Sequence, residues 1–185
     1  MTAPVTNPSA GDPADVVSLL LERGWTVATA ESLTGGLVCA ALTSVPGSSD
    51  TVRGGVVSYA TDVKAELLGV DRGRLSEVGA VDAVVAAQMA SGVRRLLGTD
   101  VGLATTGVAG PGPSAGVPAG TVHVAVCGPW DSRPTSRELW LDGDRAAVRA
   151  ATVAGVLGLL GELLRAAPDE AAARLAGPLE RDLRE

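Results

Sequence analysis

Apolar and polar positions change period along this chain wherever glycine and proline fall, and the periods predict alternating helices and strands. From Asp15 to Arg23, Val16, Val17, Leu19, Leu20 and Leu21 keep a helical spacing that Gly24 ends. Trp25 to Ala30 is a compact apolar run of strand length. The polar turn Glu31 to Gly36 leads into a helix from Leu37 to Thr43, and Pro46-Gly47-Ser48-Ser49 forms the next turn. Gly55 to Tyr59 predicts a second strand, and Thr61 or Asp62 caps a helix reaching Leu68. A long helix follows over Val81–Leu97 with Asp82 as N-cap, then a buried strand over Val101–Thr106. A glycine- and proline-rich loop occupies Gly107 to Gly120. Strands over Thr121–Val126 and Arg137–Leu141 and a helix over Arg145–Leu164 complete the pattern. Strands alternating with helices predict a single three-layer α/β/α domain with a largely parallel or mixed sheet. The domain spans residues 15–164, between a disordered arm over 1–14 and a charged, Ala-rich extension over 165–185.

Composition sharpens this picture. The 185 residues suit one domain, long enough to bury roughly 70% of the unfolded chain's surface. The chain has three Trp, one Tyr and no Phe, so Ala, Val and Leu must build the core, which favours helices packed closely on the sheet. A net charge of −6 argues against a nucleic-acid or anionic-membrane partner. The apolar uncharged run Ala150 to Gly161 falls short of the roughly 20 apolar residues of a spanning helix. Residues 1–14 lack the apolar segment of a secretory leader, so the expected location is cytoplasmic. Cys39 and Cys127 lie far apart in apolar stretches and read as buried free thiols.

Two segments carry candidate chemistry. Thr29-Ala30-Glu31-Ser32-Leu33-Thr34-Gly35-Gly36 and Ala104-Thr105-Thr106-Gly107-Val108-Ala109-Gly110 both run from an apolar strand into hydroxyl residues and glycines. Ligands collect at such strand ends in open α/β sheets, and exposed backbone N–H groups there receive anions. The same glycines also serve tight turns, and neither segment fits the Walker or dinucleotide pattern. The single histidine, His123, sits in an alternating strand and reads as a packed strand residue. With two scattered cysteines it makes neither a zinc site nor a Ser-His-Asp triad a good expectation. The single lysine, Lys64, stands among fourteen arginines. Lysine becomes a base when burial or positive charge lowers its pKa, whereas arginine stays charged. Ser49 and Tyr59 precede it, and a turn serine, a strand tyrosine and a helix lysine fit a Ser–Lys arrangement at one sheet edge. A solvated surface lysine fits the same spacing.

In order along the chain, Thr29-Ala30-Glu31-Ser32 with Thr34-Gly35-Gly36, Gly47-Ser48-Ser49, Ser58-Tyr59 with Lys64, Leu68-Gly69-Val70, Gly79-Ala80-Val81, Thr106-Gly107-Val108-Ala109-Gly110-Pro111, Gly120-Thr121-Val122 and Gly143-Asp144-Arg145 resemble the CinA C-terminal family, in its stand-alone form. The resemblance implies a nicotinamide-nucleotide amidohydrolase, which converts nicotinamide mononucleotide to nicotinate mononucleotide and ammonia with no metal and no cofactor. It implies Ser49 as nucleophile, Lys64 as base, Tyr59 as an aid to proton transfer, and Thr106 against the reacting group or oxyanion. Ser32, Thr34, Gly35, Gly36, Gly107 and Arg145 would bind the substrate, including its phosphate.

Two positions depart from the pattern. Asp82 stands where many relatives have Ser, and Val117 precedes Pro118 in the loop Gly112–Ala119 where many carry a lysine. Two other readings stay open, an amidase acting on another small amide and a non-catalytic nucleotide-binding or regulatory protein. The extension over 165–185 leaves room for a homo-oligomer.

Overall fold

The computed structural model describes residues 11–168. Its strands are β1 (Val27–Glu31), β2 (Val52–Val57), β3 (Val101–Gly107), β4 (Thr121–Cys127) and β5 (Thr135–Trp140), in the sheet order β2-β1-β3-β4-β5. β1 pairs in parallel with β2 and β3, whereas β4 and β5 add antiparallel, so the sheet is mixed. Helices α1 (Pro13–Arg23), α2 (Leu37–Thr43) and α6 (Arg145–Ala166) pack on one face. On the other face lie α3 (Thr61–Leu68), α4 (Arg72–Val78) and α5 (Ala83–Leu97). The expected three layers are present.

The two faces are packed differently. Side-chain alternation sends Val101, Leu103, Val122, Val124 and Val126 toward α1, α2 and α6. It sends Gly102, Ala104 and Ala125 toward α5. That second interface leaves no room for larger groups. A Cβ on Gly102 would lie 2.1 Å from the Ala90 carbonyl oxygen, and one on Gly92 would lie 2.1 Å from that of Leu68. The shortage of aromatic residues and the abundance of Ala and Gly follow from this close approach.

Local chemistry sets the element ends. Asp12 accepts from Ala14 N at 3.0 Å and Pro13 opens α1, so the helix starts inside the stretch expected to be a disordered arm. Asp82 is the N-cap of α5 as expected, accepting from Val84 N and Val85 N. It also pairs in a fork with Arg74 at 2.8 and 3.1 Å, so the residue that departs from Ser ties α5 to α4. For α3 the N-cap is Ala60, with no side-chain cap from Thr61 or Asp62. β2 begins at Val52 and ends at Val57, earlier than the sequence indicates, because Arg53 and Gly54 take part in a bulged pairing with β1. The short α4 carries one buried apolar residue, Leu75, and a glycine, too little periodicity to announce a helix. α6 has 22 residues and the apolar content of a spanning helix, yet it buries Val148, Val156, Leu157, Leu160 and Leu164 in the core. The stretches over 1–10 and 169–185, including most of the predicted arm and extension, lie outside the described residues.

Candidate active site

The carboxyl ends of β1, β2 and β3 open into a cavity of about 470 Å³. Ser32, Tyr59, Lys64, Thr106, Gly107 and Arg145 all line it, so six of the residues singled out from sequence meet in one place. Parallel pairing brings this about. Glu31 lies opposite Val57, and Ser58 N donates to Glu31 O at 2.9 Å, so the chain leaving β1 and the chain leaving β2 run side by side. One turn into α3, Lys64 reaches back over both.

Lys64 is 1% exposed and forms no ion pair among the described residues. Its Nζ donates to Ser58 O at 2.7 Å, Ser32 Oγ at 3.0 Å and Tyr59 O at 3.2 Å. Burial without a compensating carboxylate pushes its pKa down to about 8. Ser32 is 8% exposed on the cavity wall, and its N–H is fixed by Thr105 O at 3.0 Å. Tyr59, 61% exposed, accepts from Arg145 Nη2 at 3.2 Å, while Arg145 Nη1 donates to Gly110 O at 3.3 Å across the cavity mouth. Thr106 donates its hydroxyl proton to Ala80 O at 2.7 Å.

Four expected site residues are placed elsewhere. Ser49 lies exposed in a single 3-10 turn, Ser48–Asp50, just before β2. The six residues of β2 separate that turn from the cavity by about 20 Å. The Ser49–Lys64 pair therefore does not form, and Ser32 is the serine in contact with the lysine. Thr34 is fully buried, its hydroxyl 2.7 Å from that of Thr105. Gly35 N donates to Ser32 O. Gly36 N donates to Glu31 Oε2 at 2.9 Å, so its amide is already satisfied within the chain.

That last contact exposes a residue the sequence did not single out. Glu31, 1% exposed, accepts from Gly36 N and Val38 N on one carboxylate oxygen. The other oxygen accepts from Cys39 N and from the Thr29 hydroxyl. The N-terminus of α2, which the glycines suggested as an anion site, holds the protein's own carboxylate instead. On the other side of the turn, Arg149 Nε donates to Leu33 O at 3.0 Å and Nη2 to Thr34 O at 2.9 Å. Ser32 is thus carried on a turn clamped between Glu31 and Arg149. A glutamate ahead of a helix start is a readable capping signal, but nothing in the sequence links Arg149 to a turn more than a hundred residues away. His123 packs in β4 as expected, with Nε2 3.7 Å from Glu138 Oε1 and Nδ1 unpartnered. Cys39 and Cys127 are free thiols, Cys127 buried and Cys39 partly so.

Comparison with known proteins agrees with this architecture. The model of the CinA C-terminal domain matches residues 12–164. A CinA-like protein of Frankia casuarinae is 49% identical over 154 residues, covering 83% of this chain and 35% of its own length. A putative competence-damage inducible protein of Geobacillus kaustophilus is 44% identical over 147 residues, covering 80% of this chain and 35% of its own. The chain spans about a third of the length of these relatives. Among solved structures, a CinA superfamily protein of Klebsiella pneumoniae superposes with a TM-score of 0.81 at 32% identity, over 86% of this chain and 99% of that one. The competence/damage inducible protein CihA of Agrobacterium tumefaciens gives 0.78 at 36% identity, over 88% and 99%. With the family model, the relatives' identity and the fold in agreement, the chain belongs to the CinA C-terminal domain family.

Proposed function

We propose that the protein is an amidohydrolase that deamidates nicotinamide mononucleotide, with Ser32 as nucleophile and Lys64 as its base. The observation that carries this reading is the 3.0 Å contact between Lys64 Nζ and Ser32 Oγ on the wall of the 470 Å³ cavity. A lysine with a pKa of about 8 is neutral in about one molecule in eleven at pH 7. For an ordinary lysine the fraction is about one in three thousand. In the neutral state Nζ keeps two protons on Ser58 O and Tyr59 O and turns its lone pair to the Ser32 hydroxyl.

Ser32 Oγ then attacks the carboxamide carbon as its proton moves to Nζ. The tetrahedral oxyanion needs a donor, and the Leu33 N–H, on the cavity wall and without an acceptor among the described residues, supplies one. Thr106, whose proton is committed to Ala80 O, helps shape the wall. Collapse breaks the C–N bond, and Nζ returns its proton to the departing nitrogen as ammonia. Water next attacks the acyl ester, with Nζ as its base, and Ser32 regains its proton as the nicotinate product leaves. No Asp or Glu lines the cavity among the described residues, and Arg145 stands at its mouth, a polarity that suits the substrate's phosphate.

Ammonia release from nicotinamide mononucleotide tests the reading. Wild-type protein and Ser49→Ala should release ammonia at similar rates, while Ser32→Ala and Lys64→Ala should lose more than about a thousandfold in kcat. Full activity in Ser32→Ala, or loss only in Ser49→Ala, would return the nucleophile to the turn before β2.

A further inference from the structure

A second cavity, of about 370 Å³, lies at the opposite end of the sheet, where α5 ends, β4 ends and β5 begins. The seven residues of β3 separate the two cavities by about 23 Å. Arg94, Arg95, Cys127 and Asp131 line it. Arginines in the last turn of a helix ordinarily answer the unpaired carbonyls there. Here neither guanidinium bonds a carbonyl of that turn, and the N–H groups of Gly98 and Thr99 both donate to Arg94 O. Among the described residues the Arg94 guanidinium donates to nothing, and Arg95 makes a single long bond, 3.4 Å, to Leu68 O. Both residues line this cavity, Arg95 with its Nη2 turned to Leu68 O at the edge. Burial raises the Cys127 thiol pKa, and the nearby guanidinium of Arg94, with a smaller pull from Arg95, acts against that rise.

Asp131 lines the same space but pairs with neither arginine; its carboxylate accepts from Arg133 N and the Ser132 hydroxyl. Two arginines and an aspartate thus line one cavity without pairing with one another. Its volume falls within the range of small-molecule sites, about 300–1,000 Å³. A single guanidinium fork already saturates a carboxylate, whereas two forks match the three terminal oxygens of a phosphate.

We propose that this far cavity is a second ligand site that binds a small phosphomonoester, with Arg94 and Arg95 on the phosphate and Asp131 accepting from a hydroxyl of the same molecule. The site is independent of the amidohydrolase reading and shares no residue with that cavity.

Cys127 provides a local reporter. In a Cys39→Ser protein, the rate of Cys127 modification by methyl methanethiosulfonate is followed at constant ionic strength. Inorganic phosphate at ten times its Kd should slow the reaction about 11-fold. Ribose 5-phosphate should do so at lower concentration than phosphate. Protection should vanish in Arg94→Gln/Arg95→Gln and persist in Arg145→Ala. Both arginines reach solvent, so the double variant should fold, as its circular dichroism would show. Asp131→Asn gives an independent check, with phosphate protection kept and the advantage of ribose 5-phosphate lost. The proposal is overturned by no slowing at about 10 mM of either ligand, ten times a Kd of about 1 mM. Equal slowing by matched sodium chloride, protection surviving the double variant, or protection lost in Arg145→Ala would overturn it as well.

Discussion

Replacing Lys64 by methionine should make the protein's stability less dependent on pH, and the size of the change follows from the lysine's burial. A methionine of similar length fills the same space without a charge. In the folded protein the Lys64 pKa stands at about 8, against 10.5 for an ordinary lysine. At about 1.4 kcal/mol per pH unit, keeping the ammonium buried costs about 3 kcal/mol. The folded pKa is the lower one, so between pH 8 and 10.5 the unfolded chain holds more protons, and stability rises with pH through that window. The penalty is present in full below pH 8 and relieved above 10.5. Integrating between pH 7 and 9.5, the wild type should gain about 2 kcal/mol relative to Lys64→Met. Urea denaturation of both proteins at the two pH values measures this difference directly. Methionine also strands the carbonyls of Ser58 and Tyr59, at about 1 kcal/mol each, but that loss is the same at both pH values and cancels. A parallel pH dependence for the two proteins would show that the buried ammonium carries no such penalty, and the account of Lys64 as a base at neutral pH would fall with it.

Three further outcomes are expected. Glu31→Gln should lower the unfolding free energy by about 3 kcal/mol in urea, because the charge is lost and the amide NH₂ opposes at least one of the N–H donors at the start of α2. Arg149→Ala should reduce kcat for ammonia release about tenfold with little change in KM, since Arg149 holds the turn that carries Ser32 and does not line the cavity. A fall in affinity alone would instead place Arg149 on the substrate. Gly92→Ala should destabilise by about 1–3 kcal/mol in thermal unfolding, because the Leu68 backbone cannot yield as a flexible side chain would. An unchanged melting temperature would mean that α3 and α5 can separate freely.

Much of the fold is written in local terms. The period of apolar residues marks α1, α2, α5, α6 and the inner strands, and Asp82 announces the start of α5. The scarcity of aromatic side chains anticipates an interface thin enough for Gly92 and Gly102. Lys64 stands out as the only lysine, and Tyr59, Thr106 and Arg145 are singled out by the motifs around them.

Which serine meets that lysine is not local information. Ser49 precedes Lys64 by fifteen residues and Ser32 by thirty-two, so nearness in sequence favours the wrong one. The parallel register of β1 against β2 decides the matter. It sets Ser32 beside Ser58 at the carboxyl end of the sheet and leaves Ser49 at the other end, a strand's length away. Pairing also decides that Glu31 folds onto the start of α2 and that Arg149 of α6 reaches the same turn. The lysine's low pKa belongs to the same class of fact. Composition supplies a single lysine, but only packing removes its water and withholds a carboxylate, and that desolvation lowers its pKa.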